Sequence, residues 1–478
     1  MLSSPNNPFL SGKLRFFLIL FIVADLGISF NQYYNSPIDG DVTSIVLPTA
    51  KYKAVLKDPC GIEMIASDTT YSEPNRFFAL ALIYEYFRTV PLISQSFLSP
   101  ISSVYFSAAF LKIFIQILIV VMIGLYSSGR IGFKNDLFIT SIALATIFFQ
   151  VGGYSSTMGI IDATVSYTVY YSLSVGLVLI LLYPLIMNFG FKREIKPGVF
   201  SILFYFMLAI IIPFMGNQVP LLIISIFLTA LAGSMIFKVE LSKIVAVIKA
   251  DKKYLSVLIL FIFLCSYSYF MSLYNSERNL SGLSFIERIA KIPAGLKNIL
   301  FGKPGLWILM VLITINSIIL KKINPAFNLK FLKWFGLFCG MYLLVLPLDG
   351  YYEFRPNIIR RDNFIPVILI LIVIFTRTTL SLIDALSNSP ARIRYMGFYI
   401  FTIMLIFTLA DLPSLRIENC QRASLEMLSI SDKKIVHLSG KCNLASWYSA
   451  NEVKDSEVNA QVFYLWGITA EPKYYIQH

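Results

Sequence analysis

The chain has 478 residues, of which 57% are hydrophobic and 14% are charged, and its mean hydropathy is +0.71. This composition excludes an ordinary soluble domain and is typical of a protein that crosses a membrane many times. The formal net charge of +13 does not indicate a nucleic-acid partner, because most Lys and Arg residues lie in short loops between apolar segments, where they mark the cytoplasmic side.

Runs of about 18 or more predominantly apolar residues predict membrane-spanning helices, and about eleven such runs can be placed on the chain. They predict an all-α fold in which residues 1–412 form a transmembrane module. The predicted spans are residues 14–30, 104–126, 137–151, 167–188, 199–215, 219–237, 254–273, 305–320, 331–348, 364–382 and 396–412.

The orientation follows from the basic residues, which concentrate in every second connection between the predicted spans. The connections 152–166 and 216–218, which alternate with them, contain no Lys or Arg. We therefore predict a cytoplasmic N-terminus and an extracytoplasmic C-terminus. The basic residues that mark the inner side are Lys13, Arg15, Arg130, Lys134, Lys192, Arg193, Lys196, Lys238, Lys243, Lys249, Lys252, Lys253, Lys321, Lys322, Lys330, Lys333, Arg392 and Arg394.

The first outer loop, residues 31–103, is far longer than a connection between two helices needs. Its second half, RFFALALIYEYFRTVPLISQSFLSP, is rich in aromatic residues but also contains Glu85 and Arg88. This pattern predicts one or two helices that lie in the plane of the membrane interface. The alternative is a further span, which would break the alternation of the basic loops.

An acidic pair follows the first predicted span, in the stretch NSPIDGDVTSIVLP, where only Gly40 separates Asp39 from Asp41. Two neighbouring carboxylates can divide catalytic work, one accepting a proton and the other orienting a substrate hydroxyl or a cation. Histidine occurs only as His437 and His478, so an enzyme with this sequence would use a carboxylate as its base. The alternative is a turn, for which Pro, Asp and Gly are typical residues.

Two sets of basic residues are candidate phosphate ligands. Lys112 lies inside the second predicted span, where a charge costs about 3 kcal/mol or more unless it is paired or faces a wet cavity. It predicts a polar pocket that opens outward, although a lysine reaching up to the interface is the alternative.

Arg355, Arg360 and Arg361 precede the tenth span, and their planar guanidinium groups match phosphate oxygens. They predict a phosphate clamp or, alternatively, an interfacial anchor for that span.

A third long outer segment, residues 274–304, contains the basic amphipathic stretch ERIAKIPAGLKNILFG. Arg288 and Lys291 lie there among apolar residues, a pattern that favours contact with anionic lipid headgroups. A solvated surface helix is the alternative.

The tail, residues 413–478, is predicted to form a small extracytoplasmic segment of α/β or β-rich structure. Its runs KKIVHLSG and QVFYLWGI lie between turn residues and favour short strands. Cys420 and Cys442 would form a disulfide in an oxidising compartment. Cys60, in the first outer loop, is either unpaired or replaces one of these two partners.

Taken together, these features resemble the GT-C superfamily of membrane glycosyltransferases. The resemblance lies in the odd number of spans, the cytoplasmic N-terminus, the long first outer loop with interfacial helices, the outer C-terminal tail and the acidic DGD in that loop. The stretch from PIDGD through YKAVLKDPCG to EPNRFF also resembles uncharacterised bacterial inner-membrane proteins. The resemblance implies an enzyme of the inner membrane whose active site faces the periplasm or exterior.

Enzymes of this superfamily take a sugar from a polyprenyl-phosphate donor and use a first-loop Asp or Glu as base. The resemblance implies that Asp41 or Asp39 deprotonates a hydroxyl of an acceptor glycan, lipid or protein, which attacks the anomeric carbon and inverts it. Asp41 is the preferred base, because it directly precedes the apolar VTSIVLP, whose packing would fix its position. Asp39 would then orient the acceptor or hold a divalent cation. The lipid phosphate would be stabilised by Arg355, Arg360, Arg361 and Lys112.

Two other functions stay open at this stage. A glycan polymerase or ligase also acts on lipid-linked sugars, and the basic loop before the tenth span permits this function. A non-enzymatic lipid or glycan transporter would have charged residues deep in several spans and short outer loops, and of these features only Lys112 is present.

Overall fold

The computed structural model describes residues 12–132, 134–237, 251–278, 282–302, 304–324, 330–352, 357–386, 390–411, 419–439 and 442–477. Most of these residues are helical, and ten helices among them are long and apolar enough to cross a membrane. The protein is therefore a helical, polytopic integral membrane protein, as predicted. The ten helices are Gly12–Tyr34, Phe77–Ser94, Pro100–Ser128, Val165–Phe191, Gln218–Phe237, Lys252–Ser272, Gly305–Ile323, Lys330–Asp349, Ile365–Leu386 and Arg394–Asp411.

All of these except Phe77–Ser94 coincide with predicted spans. Two further predicted spans form shorter apolar helices, Asp136–Thr146 and Val199–Met215. The second of these changes from α-helix to 3₁₀-helix at Ile212–Met215, because Pro213 cannot donate a backbone hydrogen bond and tightens the last turn. The predicted count of about eleven crossings consists of nine of the ten long helices, without Phe77–Ser94, and these two shorter helices. This count stays a prediction.

The connections predicted to be cytoplasmic contact one another. Arg15 Nε donates to Asp136 Oδ1 at 2.7 Å, which joins the starts of two helices. Arg193 donates to the carbonyl oxygen of Gly129 at 3.3 Å, and Arg377 donates to that of Gly190 at 3.4 Å. These contacts join segments near helix ends that the charge pattern predicts to be cytoplasmic, and the topology itself stays a prediction.

The helix Phe77–Ser94 is a single 18-residue helix that the sequence analysis placed in the membrane interface. Just before it begins, Asn75 Nδ2 donates to Ser268 Oγ at 3.1 Å, near the end of Lys252–Ser272. Just after it ends, Gln95 Nε2 lies 3.4 Å from Ser103 Oγ, near the start of Pro100–Ser128. Both ends thus lie beside predicted outer ends of other helices, which favours the interface over a further span.

The rest of the first outer loop forms three short helices, Gly40–Val46, Ala50–Lys57 and Ile62–Ala66. The first of them packs its apolar side, Val42, Ile45 and Val46, into the main hydrophobic core. The acidic DGD thus begins a buried helix rather than an exposed turn. Two further short helices, Phe285–Ala290 and Ile292–Gly302, lie in the described part of the third long outer segment.

The described part of the tail, residues 419–439 and 442–477, is a small α/β unit that we call the cap. Its strands Ile435–Leu438 and Tyr474–Gln477 pair in parallel, and Cys420 and Cys442 form a disulfide. Cys60 is exposed and does not belong to a disulfide. The cap also contains two helices, Asn419–Ile430 and Glu457–Leu465.

One predicted strand of the cap is instead helical. The run QVFYLWGI contributes to the helix Glu457–Leu465, where Ala460, Val462 and Phe463 are buried. A short apolar run does not distinguish a buried strand from a buried helix by its period alone. The second strand forms later, at Tyr474–Gln477.

The cap lies on the first outer loop and is fixed there by polar contacts from buried side chains. Trp466 Nε1 donates to the carbonyl oxygen of Phe87 at 2.8 Å. Gln421 accepts from the backbone N–H of Ile38 at 2.8 Å and donates to its carbonyl oxygen at 3.1 Å. The two segments with the longest outer extensions therefore form one structural unit around the DGD.

Reporter fusions test the predicted topology. We expect a reporter fused after Leu386 to be cytoplasmic and one fused at the C-terminus to be extracytoplasmic, because the helix Pro390–Asp411 separates them. An alkaline phosphatase and green fluorescent protein pair distinguishes the two locations. Reporters on the same side would contradict the topology and the outer location of the cap.

Candidate functional site

Asp39 caps a helix that is distant in the sequence. Its carboxylate accepts from the backbone N–H groups of Val165, at 2.8 Å, and Ser166, at 3.3 Å, and from Ser166 Oγ at 2.8 Å. These residues begin the helix Val165–Phe191, whose preceding residue, Thr164, supplies no side-chain cap. The first N–H groups of a helix lack partners within it, so Asp39 satisfies them from the first outer loop.

The carboxylate of Asp39 is buried, at 6% exposure. Burial raises the pKa of Asp39 above its ordinary value, and the nearby charge of Asp41 adds to the increase, whereas the hydrogen bonds from Ser166 and the charge of Lys112 oppose it. Both oxygens already accept from protein donors. Asp39 therefore joins two elements of the fold.

Lys112 lies close to the contact between Asp39 and the helix N-terminus, and it is 1% exposed. Its Nζ donates to the carbonyl oxygen of Ala163, and its charge acts on Asp39. The sequence analysis predicted that Lys112 lines an outward pocket. The structure places its ammonium group inside the protein as a counter-charge, so contact with a phosphate would require this packing to open.

Asp41 is in a different environment from Asp39. Its Oδ1 accepts from the hydroxyl of Tyr52 at 2.9 Å and from Trp447 Nε1–H at 2.8 Å. Among the described residues, Oδ2 has no hydrogen-bond partner, and the side chain is half-buried. Asp41 is thus held in orientation by one oxygen while the other is available.

Only glycine fits between the two carboxylates, because the backbone of the tail unit, the cap, approaches Gly40 closely. A Cβ atom at Gly40 would lie 2.6 Å from the backbone nitrogen of Trp447 and 2.7 Å from the carbonyl carbon of Ser446. Both distances are too short for any larger residue, because backbone atoms cannot move aside as a flexible side chain can. Gly40 therefore allows the loop that carries Trp447 to reach Asp41.

Two arginines converge on one tyrosine at the predicted outer ends of the helices. Arg76 pairs with Glu73, and one of its terminal nitrogens lies 3.3 Å from Tyr171 Oη. Arg360 pairs with Asp362 through Nε at 3.1 Å, and a terminal nitrogen lies 3.5 Å from the same oxygen. Both guanidinium groups line a narrow cleft, the polar cleft, formed by Glu73, Asn75, Arg76, Tyr171, Asn217, Gln218, Leu221, Ser272, Asn275, Leu346, Asp349, Tyr352, Arg360 and Asn363.

Tyr52 and Tyr170 connect Asp41 with the polar cleft. Burial and the charges of Asp41 and Glu73 raise the pKa of Tyr52, whereas the charge of Arg76 lowers it. The guanidinium carbon of Arg76 lies 4.4 Å from the centroid of the Tyr170 ring. The hydroxyl of Tyr170 is buried without a hydrogen-bond partner among the described residues. Asp41 and Arg76 thus both act on Tyr52, and Arg76 and Arg360 meet at Tyr171.

The remaining predicted phosphate ligands lie elsewhere. Arg361 pairs with Asp162 and its side chain is 44% exposed. Because the charge of Asp162 also acts on Lys112, this pair is linked to the Asp39 side of the site rather than to the polar cleft. Arg355 lies outside the described residues.

The two residues predicted to contact lipid headgroups, Arg288 and Lys291, lie in different environments. Arg288 is buried, and it donates to the carbonyl oxygens of Leu283, at 3.0 Å, and Pro347, at 3.2 Å. Lys291 is half-buried, with its ammonium group 5.3 Å from the centroid of the Tyr351 ring. The guanidinium of Arg288 thus stabilises the protein's own loop, while the role of Lys291 at the lipid surface stays a prediction.

Sequence analysis missed Glu73, Arg76 and Trp447 as site residues. A usable signal existed for the first two, because EPNRFF places opposite charges three residues apart directly before a long apolar run. Trp447 had no such signal, since its partner Asp41 is 406 residues away. As for a metal, the described residues contain no group of three or more His, Cys, Asp or Glu side chains that could hold one.

The capping role of Asp39 is testable by stability. Replacing a capping side chain by Ala costs about 1–2 kcal/mol, so Asp39→Ala should lower the free energy of unfolding by about that amount. Asp41→Ala is the matched control and should lower it less, because Asp41 is half-buried and accepts only two side-chain hydrogen bonds, whereas buried Asp39 satisfies two backbone N–H groups at a helix end. Denaturant titration of the detergent-solubilised variants, followed by circular dichroism, gives both values. Equal losses would contradict the capping role.

Comparison with known proteins gives no relationship on which to base a function. No protein-family model, curated protein or solved structure matches the chain. The function is therefore inferred from the residues of the site themselves.

Proposed function

We propose that the protein is a GT-C-like membrane glycosyltransferase that moves a sugar from a polyprenyl-phosphate donor to an acceptor hydroxyl. The observation that carries the proposal is the orientation of Asp41, whose Oδ1 is held by two donors while Oδ2 has no partner among the described residues. The paired arginines of the polar cleft, one of which acts on Tyr52 beside Asp41, supply phosphate-binding groups. We further propose that the site faces the periplasm or exterior of a bacterial inner membrane.

Asp41 acts as the general base. Its Oδ2 takes the proton of the acceptor hydroxyl as the acceptor oxygen forms a bond to the anomeric carbon. The bond between that carbon and the phosphate oxygen breaks, and its electron pair leaves with the lipid phosphate. The anomeric centre is inverted because attack and departure occur on opposite faces. A phosphate departs as an anion, so the reaction needs no general acid.

The donor phosphate is assigned to the polar cleft, at Arg360 and Arg76, and the cleft, with a free volume of about 20 Å³, would widen to admit it. A guanidinium group has five N–H donors, and each arginine uses only part of this set on its carboxylate partner. The remaining donors can meet phosphate oxygens and stabilise the charge that develops as the phosphate departs. Arg360 is one of the arginines that the sequence predicted as phosphate ligands. Arg76 replaces Lys112 as the second ligand in this proposal.

The depth of these groups in the membrane is consistent with their proposed roles. A long polyprenyl chain stays in the bilayer and keeps its phosphate near the surface, so both base and clamp must lie at the level of the headgroups. The DGD begins five residues after the end of the helix Gly12–Tyr34, and Arg360 lies five residues before the start of Ile365–Leu386. Both functional groups therefore lie next to the predicted outer ends of membrane helices.

Asp41→Asn tests the base. The amide keeps the size of the side chain but cannot accept the proton, so we expect turnover to fall by about a hundredfold or more. Donor binding should be retained, because the phosphate ligands are unchanged. Transfer from a radiolabelled polyprenyl-phosphate sugar in proteoliposomes measures turnover. Asp39→Asn is the control and should retain more activity, because an amide oxygen can still cap the helix. Full activity of Asp41→Asn would contradict the assignment.

Arg360→Ala and Arg76→Ala test the clamp. Each should weaken binding of a polyprenyl phosphate by about 1.5–3 kcal/mol, the contribution of a hydrogen bond to a charged group. Arg361→Ala is the matched control, since this arginine is next in sequence to Arg360 but pairs with Asp162 outside the polar cleft. Microscale thermophoresis in nanodiscs measures the affinities. If Arg361→Ala weakened binding as much as the other two, the phosphate would not lie in the cleft.

A transporter is the second candidate function, and one observation favours it. Asp25 and Asp411 are buried within membrane helices, where ionisable residues often mark transport pathways. Asp25 accepts from Thr146 Oγ1 at 2.7 Å and from Gln150 Nε2 at 2.6 Å. The same contacts also join helices in a structural role. Substrate movement that is lost in Asp25→Asn but retained in Asp41→Asn would favour transport over transfer.

A further inference from the structure

We propose that Trp447 of the cap positions Asp41 and, stacked on Tyr167, forms the surface that binds a sugar ring of the acceptor. The acceptor would then be a glycan or a glycolipid rather than a protein side chain or a simple lipid. This inference rests on the proposed function and specifies the substrate class of the same site.

The positioning role follows from the hydrogen bonds of Asp41. The indole N–H of Trp447 donates to Oδ1 at 2.8 Å and the hydroxyl of Tyr52 donates to the same atom at 2.9 Å. Two donors on one carboxylate oxygen fix the rotation of the group. They direct the other oxygen away from the protein donors, toward the position that an acceptor hydroxyl would occupy.

The binding role follows from the ring itself. The Trp447 indole is stacked on the Tyr167 ring, with centroids 5.8 Å apart and an interplanar angle of 29°. Tyr167 in turn packs edge-to-face on Tyr171, which belongs to the polar cleft. A pyranose presents C–H groups on one face and hydroxyl groups at its edge, so it can lie on an aromatic ring while a hydroxyl meets a carboxylate. Trp447 and Asp41 provide these two groups side by side.

The exposure of Trp447 separates this role from a purely structural one. Trp466, in the same cap, is 1% exposed and fixes the cap to the first outer loop. Trp447 is 41% exposed, although burying a tryptophan is strongly favourable. The cap therefore leaves much of this large aromatic surface open next to the proposed base.

The loop that carries Trp447 is held in one conformation. Buried Ala445 has a φ of +46°, in the left-handed region that is unfavourable for residues other than glycine. Its carbonyl oxygen accepts from Thr43 Oγ1 at 3.0 Å, and Asn443 Nδ2 donates to the carbonyl oxygen of Trp447 at 2.9 Å. Unfavourable backbone conformations persist where the surroundings enforce them, and they concentrate at functional sites. The indole is thus placed before any substrate binds.

The first experiment measures sugar binding without donor or turnover. Saturation-transfer NMR with methyl glycosides of glucose, galactose, mannose and N-acetylglucosamine is carried out on the full chain in lipid nanodiscs, which avoids sugar-based detergents. At least one glycoside should give a signal with the wild type and with Trp447→Phe, which keeps an aromatic ring. Trp447→Ala should lose it. Trp307→Ala is the matched control, because Trp307 is also 41% exposed but lies on the helix Gly305–Ile323.

The second experiment separates positioning from binding through kinetics. Trp447→Phe retains the ring but loses the N–H donor, so kcat should fall about ten- to a hundredfold, the effect of losing one hydrogen bond to a charged group. The acceptor KM should change less than about twofold, because the ring still binds the sugar. This variant also keeps the proposal testable if Trp447→Ala does not fold.

The outcomes are distinct from those of the proposed function. No glycoside signal in the wild type, a signal retained in Trp447→Ala, or equal loss in Trp307→Ala would overturn the sugar-binding surface. An unchanged kcat in Trp447→Phe, with Asp41→Asn inactive, would overturn the positioning role and leave Asp41 as the base. Glycoside binding at Trp447 combined with full activity of Asp41→Asn would instead refute the catalytic mechanism while retaining the sugar site.

Discussion

The contact between the carboxylate of Asp39 and the N-terminus of the helix Val165–Phe191 fixes the geometry on which the site depends. Burying a carboxylate is costly unless hydrogen bonds and opposite charge compensate it. Here two backbone N–H groups, one hydroxyl and the charge of Lys112 supply that compensation. Asp39 directly precedes the short helix Gly40–Val46, and Asp41 is the second residue of that helix. The contact that places the first carboxylate therefore also places the second one beside Trp447 of the cap.

The charges at the outer side are arranged as pairs, which determines what the site can bind. Arg76, Arg360 and Arg361 each lie beside a carboxylate: Glu73, Asp362 and Asp162. Pairing stabilises the arginines in the absence of a ligand, and their planar groups still present further donors in fixed directions. An anion that approaches the polar cleft thus meets two oriented guanidinium groups, with Tyr171 between them. The lining also includes the carboxylates of Glu73 and Asp349, so the proposed phosphate site balances two guanidinium groups with two carboxylates.

Local patterns in the sequence predicted what local physics determines. Hydrophobic runs identified the membrane helices, DGD identified the acidic pair, and oxidising conditions suggested the Cys420–Cys442 disulfide. The contacts that decide the roles of these residues are not local. Asp39 meets Ser166 across 127 residues, and Trp447 meets Asp41 across 406. For that reason the sequence could not distinguish a capping carboxylate from an available one, nor assign the tail to the site.

The most direct measurement is an experimental structure of the protein in a nanodisc with a short-chain polyprenyl phosphate bound. We predict phosphate oxygens about 3 Å from guanidinium nitrogens of Arg76 and Arg360, with the lipid chain in the outer half of the bilayer and Asp41 Oδ2 facing the same space. A phosphate bound at the cytoplasmic basic loops, or at the outer face away from both arginines, would contradict it.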